Sequence, residues 1–283
     1  MANVRVREIL KQVDEAKTSV IAFNCMDYNT IYSAVMAAEE LRKPVILLLY
    51  PGHSENDNTI SLSGFTAIVK ELGKRVNVPI AAHLDHCTDQ EYIRYAIDCG
   101  FTSVMYDGSQ LPFEENLENT KRVVEYARER GVDVEGEIGH IGLAENDDQL
   151  KADRYTTPGD AAFFSKETGV TSLAVNIGSA HGVYLEEPNL DLQRLAEINA
   201  ATDTPLVLHG GSGIPDAQLE IAFKNGINKF NFGTSYYGWY YAAIRGYCDT
   251  YGGDALYGPL PGFVQSRLIP LLKDRLRLSE IEY

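Results

Sequence analysis

The chain has 283 residues, 45% of them apolar, with 24 Gly and 11 Pro; this composition is that of an ordinary globular protein and excludes collagen-like, low-complexity and disordered classes. Forty acidic against 25 basic residues leave a formal charge of −15, a field that repels nucleic-acid backbones, anionic membranes and any small anion lacking its own local donors. No stretch approaches the ~18 apolar residues of a membrane span and the amino terminus lacks a signal-peptide core, while the four cysteines, Cys25, Cys87, Cys99 and Cys248, are too scattered for a disulfide framework or a CxxC metal site. The expectation is a cytoplasmic protein with reduced, mostly buried thiols.

In chain order, short runs rich in Val, Ile and Leu recur at Val20–Cys25, Pro44–Tyr50, Pro79–His86, Ser103–Asp107, Val132–Gly139, Ser172–Gly178, Pro205–Gly211 and Lys229–Thr234. Between most of them lie segments with helical spacing and charged faces, such as YSAVMAAEELRK, GFTAIVKELGKRV, EENLENTKRVVEYARERG and LDLQRLAEINAAT. Strands alternating with helices imply a parallel sheet, and continuous apolar runs such as VILLL fit strands covered on both faces. Eight such units predict an α/β protein with the (β/α)8 TIM-barrel architecture. An open doubly wound sheet is the second choice, disfavoured because no GxGxxG follows the first strand. With no linker or low-complexity stretch, residues 1–283 read as a single barrel domain carrying a Tyr-rich extension from about residue 235.

Two segments break the pattern. Gly139–Asp160 is a long acidic connection with no clear helix, and loops of that length in compact domains are usually functional lids or disordered excursions. The last 49 residues hold eight tyrosines and the only tryptophan, Trp239, a composition that predicts internal packing or a subunit interface.

The chemistry is expected at strand ends. Of six histidines, His83, His86, His181 and His209 fall at or just past the carboxyl end of a predicted strand. In a barrel those ends converge, so His86, His181 and His209, from three distant strands, can form a three-His metal site with an open position. A single strand-end histidine is usually a packed residue; three beside Asp85, Asp107, Glu135 and Glu137 point to a divalent ion, and imidazole ligands favour zinc over magnesium or calcium. Strict alternation in HLDH puts His83 and Asp85 on one face and His86 on the other unless the strand turns there. Asp85 then orients a histidine or transfers a proton, two readings the spacing leaves open. HGGSG after the seventh strand and NFGTS after the eighth place glycines, Ser212 and Thr234 at helix starts, a pattern suited to cradling a phosphate.

Taken in order, AHLDH, SVMYDGSQLPFEENLENTK, VEGEIG, LAVNIGSAHGVY and LVLHGGSGIP resemble the class II, zinc-dependent fructose- and tagatose-bisphosphate aldolase family over roughly residues 20 to 234. The resemblance implies reversible cleavage of a ketose 1,6-bisphosphate to dihydroxyacetone phosphate and an aldehyde such as glyceraldehyde 3-phosphate. Carried over by motif, it implies one catalytic zinc ion on His86, His181 and His209, with Asp107 and Glu137 near an alternative metal position. It leaves a second metal or a monovalent cation open. Asp85 would move the proton of the hydroxyl at the breaking bond, and Glu145 in the long loop would protonate the resulting carbanion. Asn24, Gly182, Gly210, Gly211, Ser212, Asn231, Phe232, Gly233 and Thr234 would hold the dihydroxyacetone phosphate. A homodimer or homotetramer is expected, with a phosphorylated sugar as the small partner and neither nucleic acid nor membrane.

Three stretches depart from the family pattern: GLAEN in the long loop, Tyr50 where a small residue is usual after the second strand, and SYYGWYYAAIR after Thr234. No basic residue for a second phosphate stands out, which keeps a ketose monophosphate in view. Outside the family, a zinc hydrolase would use metal-bound water without needing paired phosphate loops, and a noncatalytic sugar-phosphate sensor would not need Asp85.

Overall fold

The computed structural model describes residues 3–55, 59–139, 141, 155–252 and 259–283. Eight parallel strands, β1 (Val20–Asn24), β2 (Val45–Leu49), β3 (Ile80–Cys87), β4 (Ser103–Tyr106), β5 (Asp133–Ile138), β6 (Ser172–Val175), β7 (Leu206–Leu208) and β8 (Ile227–Phe232), close into a barrel in sequence order. Closure runs through β1 and β8, with Val20 opposite Lys229 and Phe23 opposite Phe232; this is the (β/α)8 barrel that the alternation predicts, and the closed ring excludes an open sheet. The strands are almost wholly buried, as expected where helices cover the outside and side chains fill the inside.

The crossover helices are α2 (Tyr28–Leu41), α4 (Leu62–Leu72), α5 (Gln90–Asp98), α6 (Phe113–Glu129), α7 (Pro158–Thr168), α8 (Leu192–Ala201), α9 (Asp216–Lys224) and α10 (Thr234–Tyr251). Several start on side-chain caps: Asp27 accepts from the Thr30 N–H, Ser61 from Gly64, Asp89 from Glu91 and Thr157 from Asp160, each satisfying a donor that the first turn leaves open. A short α3 (Pro51–Glu55) follows β2.

The remaining two helices lie at the two ends of the chain. α1 (Val6–Glu15) lays Val6, Ile9, Leu10 and Val13 against Val20, Ala22, Ile46, Leu48 and Ala81, sealing the amino-terminal mouth of the barrel. α11 (Leu260–Leu276) buries Val264, Leu268, Leu272 and Leu276, a four-residue repeat that makes one apolar stripe. The carboxy-terminal strand of chain beyond it is held by the Lys43 Nζ, which donates to the Ser279 and Ile281 carbonyls.

Three strand ends differ from their sequence reading by two residues or more, the other five by one. β8 lies two residues earlier than Lys229–Thr234, because Gly233 stops the strand and α10 begins at Thr234. β6 and β7 stop at Val175 and Leu208, so Asn176–Gly178 and His209–Gly211 belong to loops. Of the cysteines, Cys25 and Cys87 are buried, Cys99 is half-buried and Cys248 exposed; all four are free thiols, as expected, and fewer are buried than expected. No described helix is long and apolar enough to cross a membrane.

Candidate metal centre and substrate site

The end of β3 resolves the HLDH ambiguity. Between Leu84 and Cys87 the pairing with β4 slips, and His86 takes a left-handed backbone with φ +42°. That conformation is uncommon for a residue with a side chain and, where it persists, clusters at functional sites. The bulge turns His86 into the barrel mouth beside Asp85, so neighbours in sequence serve the same cavity.

His86, His181 and His209 meet there, with ring nitrogens within 4.8 Å of one another. Each ring has its other nitrogen held by a protein oxygen. His86 Nδ1 lies 2.8 Å from the Asp107 carboxylate, His209 Nε2 2.9 Å from Glu135 Oε1, and His181 Nδ1 3.3 Å from the Ile141 carbonyl. These partners fix which nitrogen of each ring faces the centre, the arrangement that metal-binding histidines use. Two of the inward nitrogens, His86 Nε2 and His209 Nδ1, stand 2.9 Å apart, and the third, His181 Nε2, is buried with no hydrogen-bond partner. Three converging imidazoles with an orphaned buried acceptor fit a divalent cation, and all-imidazole ligation suits zinc. A second set, His86, Asp107 and Glu137, also gathers within 4.8 Å. Glu137 Oε2 is buried without a hydrogen bond, and burial, with the nearby Asp107 charge, pushes its carboxyl well above the ordinary range. Because His86 belongs to both sets, they overlap.

Beneath the histidines lies a buried charge network. The Lys229 ammonium, on the inner face of β8, donates to both oxygens of Glu135 at 2.8 and 3.1 Å, and all of this is sealed from solvent. Burial alone would raise the Glu135 pKa; Lys229 and the His209 hydrogen bond more than reverse that, holding it ionised. His83, one turn of the pleat below Asp85, bonds Ser103 Oγ at 2.7 Å, and burial aided by the Lys229 charge lowers its pKa to about 3. Burial likewise lowers His181 to about 3, which keeps it a neutral potential ligand.

Asp85 has each of its carboxylate oxygens held by a side-chain amide. Asn24 Nδ2 at the end of β1 donates to Oδ2 at 2.7 Å, and Asn231 Nδ2 on β8 donates to Oδ1 at 3.0 Å. Burial pushes its pKa up, but the surrounding His86, His209 and Lys229 bring it below the ordinary value. Asn24 and Asn231, expected around the phosphate-bearing half of the substrate, thus have amide donors on Asp85.

The glycine motifs surround the same mouth. A Cβ on Gly210, which has φ +65°, would lie 2.2 Å from the Ala180 carbonyl, and one on Gly211 would strike the Phe230 ring at 2.1 Å; only glycine lets these loops approach. Ser212 Oγ accepts from the Ser235 N–H at 3.0 Å, tying the loop after β7 to the first turn of α10, whose cap is Gly233. Tyr184 binds the loops carrying His181 and His209 together, accepting from Ala180 N and donating to the Gly210 carbonyl. Gly182, at φ +95°, follows His181 directly. The Phe232 ring packs 5.3 Å from Trp239 and 6.1 Å from Phe23, so that residue offers the site its backbone and not its ring. Glu145 lies outside the described residues.

Asp85 and all five expected metal ligands are therefore brought together around one mouth. The sequence reading missed Lys229 and Tyr184, and it named Asn24 and Asn231 for the substrate without their bonds to Asp85. A lysine inside an apolar strand, KFNF, was the available signal for the first, since buried lysines need a partner.

Residues 4–267 match the family model described as class II fructose-bisphosphate aldolase. Among solved structures, the YdjI aldolase of Escherichia coli K12 is 30% identical with a TM-score of 0.86, covering 99% of this chain and 98% of that one. Fructose-bisphosphate aldolase of Campylobacter jejuni is 21% identical with a TM-score of 0.82, over 98% of this chain and 95% of that one, a likeness of fold. The match to the family model over nearly the whole chain, on a barrel whose mouth gathers these residues, makes this chain a member of the class II fructose-bisphosphate aldolase family.

Proposed function

We propose that the chain is a zinc-dependent aldolase that reversibly cleaves a ketose phosphate into dihydroxyacetone phosphate and an aldehyde. The observation that carries this reading is the convergence of His86, His181 and His209 beside an Asp85 held by two amides. Zinc on those three histidines supplies Lewis acidity toward the carbonyl and neighbouring hydroxyl of the ketose.

The chain's own residues supply the rest. The first turn of α10, with glycines at 210, 211 and 233 around it, offers the phosphate a helix dipole and the backbone N–H groups other than that of Ser235, which Ser212 Oγ takes. That anchor fixes the carbonyl end of the ketose against the histidines, the positioning on which a two-fragment reaction depends. Asp85 accepts the proton of the hydroxyl on the carbon that becomes the aldehyde. As the carbon–carbon bond breaks, its electrons pass to the dihydroxyacetone phosphate half, which takes a proton at that carbon. Glu145, in the acidic loop after β5, is the proposed donor of that proton, and loop carboxylates that close over a substrate commonly act this way. Asn24 and Asn231 position Asp85, since their amides fix both of its oxygens. His86, Asp107 and Glu137, which also gather within 4.8 Å of one another, would be an alternative set of ligands for the same ion.

Fructose and tagatose 1,6-bisphosphates and the corresponding 1-phosphates, assayed by coupled detection of dihydroxyacetone phosphate, test the reading. Release from at least one of them is expected; zinc bound stoichiometrically with no release from any of the four contradicts it.

A further inference from the structure

Resting on the aldolase reading, we propose that the aldehyde half of the substrate is an uncharged polyhydroxy aldehyde, so that the substrate is a ketose 1-phosphate and not a bisphosphate. The hydroxyl that gives its proton to Asp85 becomes the aldehyde oxygen, so the aldehyde half lies on the Asp85 side of the mouth. That side is built by the ends of β1, β2 and β8. Asn24 and Asn231 hold Asp85 from β1 and β8, and the segments leaving the neighbouring strand ends carry Tyr50 after β2, His53 on α3 and Tyr237 in the first turn of α10.

These three rings form one wall. His53 Nε2 is 3.0 Å from the Tyr237 hydroxyl, the two rings are edge to face with centroids 5.0 Å apart, and Tyr50 meets His53 edge to face at 5.7 Å. Tyr237 is buried deep enough, and near enough to Asp85, that burial first and then the fields of Cys25 and Asp85 raise its pKa. Tyr50 stays 44% exposed. Tyrosine presents an apolar body and a polar tip, which suits a carbon chain bearing hydroxyls.

A phosphate would need cations or open backbone donors there. No lysine or arginine lies in any connection from a strand to its following helix among the described residues; Lys151 and Arg154 occupy such a connection by sequence, after β5, outside the described residues. Arg194, in the first turn of α8, is already engaged by Asp191 and the Thr156 carbonyl, and Arg94 on α5 pairs with Glu91. Of the helix starts on that side, the start of α10 is assigned to the phosphate of the dihydroxyacetone half, and the start of α2 is capped by the Asp27 carboxylate, which also accepts from the Tyr240 hydroxyl. A carboxylate at that position takes the N–H donors an anion would use and repels it.

The test runs the reaction toward condensation with the zinc-loaded protein. Exchange of the dihydroxyacetone phosphate carbon-bound proton in D2O reports the aldolase half-reaction without any aldehyde. Condensation is then measured with glyceraldehyde and with glyceraldehyde 3-phosphate. Exchange with a kcat/KM at least about tenfold higher for glyceraldehyde supports the proposal. Exchange with equal or higher kcat/KM for the phosphorylated aldehyde overturns it while leaving the aldolase reading intact, and absence of exchange overturns both. Tyr50→Arg, which adds the cation the wall lacks, is expected to raise kcat/KM for glyceraldehyde 3-phosphate by about tenfold; no change in that variant counts against the placement of the aldehyde half.

Discussion

The two mouths of the barrel are built from opposite materials. At the amino-terminal mouth, α1 presses Val6, Ile9, Leu10 and Val13 onto Val20, Ala22, Ile46, Leu48 and Ala81, and the contact is apolar and closed. Toward the carboxyl mouth the inward positions of β1, β3, β5 and β8 carry Asn24, His83, Asp85, Glu135, Glu137, Lys229 and Asn231, all of them buried. Burying so many polar groups is costly unless each finds a partner, and nearly every one does. The atoms left without a partner in that set are His83 Nε2, Glu137 Oε2 and Asn231 Oδ1, with His181 Nε2 beside them in the loop after β6. On the proposed function one mouth holds the fold and the other the chemistry, so substitutions at the two ends should separate stability from turnover.

The largest effect is expected at Asp85. Asp85→Asn keeps the shape and the Asn24 and Asn231 neighbours but removes the proton acceptor, and cleavage should fall by about 10²–10⁴-fold with zinc content unchanged by elemental analysis. Glu135→Gln should show both kinds of damage at once. It leaves the buried Lys229 ammonium without its counter-charge, a loss of about 3–5 kcal/mol in denaturant unfolding, and it loosens the His209 ring, lowering zinc affinity by about 10–100-fold in a chelator competition. Leu10→Ala, at the closed mouth, should lower unfolding free energy by about 2–5 kcal/mol while kcat per folded molecule stays at the wild-type value; a fall in kcat would dissolve the contrast between the mouths.

The smallest expected effect is a pH dependence from His83, whose pKa is lowered to about 3 by burial. An unfolded histidine binds a proton near pH 6.5, whereas the folded one refuses it. Its contribution to stability is thus complete above about pH 6.5 and declines as pH falls toward 3. His83→Gln should flatten part of the acid slope of the urea midpoint between those limits, and an unaltered slope would remove His83 from the acid response.

Much of the fold was legible because its signals are local. Runs such as VILLL and the helical spacing between them need no tertiary knowledge to be read as buried strands and crossovers. The three histidines were legible for a topological reason: strand ends of a barrel converge whatever their separation in sequence. The joint orientation of Asp85 and His86 was not, because it comes from a bulge created by pairing with β4, and alternation alone points the two side chains apart. Asn24 reads equally well as a ligand for substrate; only its 2.7 Å bond to Asp85 shows which neighbour its amide serves. Lys229 was hidden by its setting, since Glu135 lies 94 residues away in sequence and nothing local announces the pair.

The central claim is that aldol cleavage depends on a cation held by His86, His181 and His209. The most direct test strips the protein with chelator and titrates zinc back, following bound zinc and dihydroxyacetone phosphate release from the best ketose phosphate in the same samples. Release should be lost on stripping and should rise in proportion to bound zinc, levelling at about one ion per chain, the stoichiometry of a single three-His site. Full turnover by the stripped protein, or saturating zinc without recovery, would contradict the account.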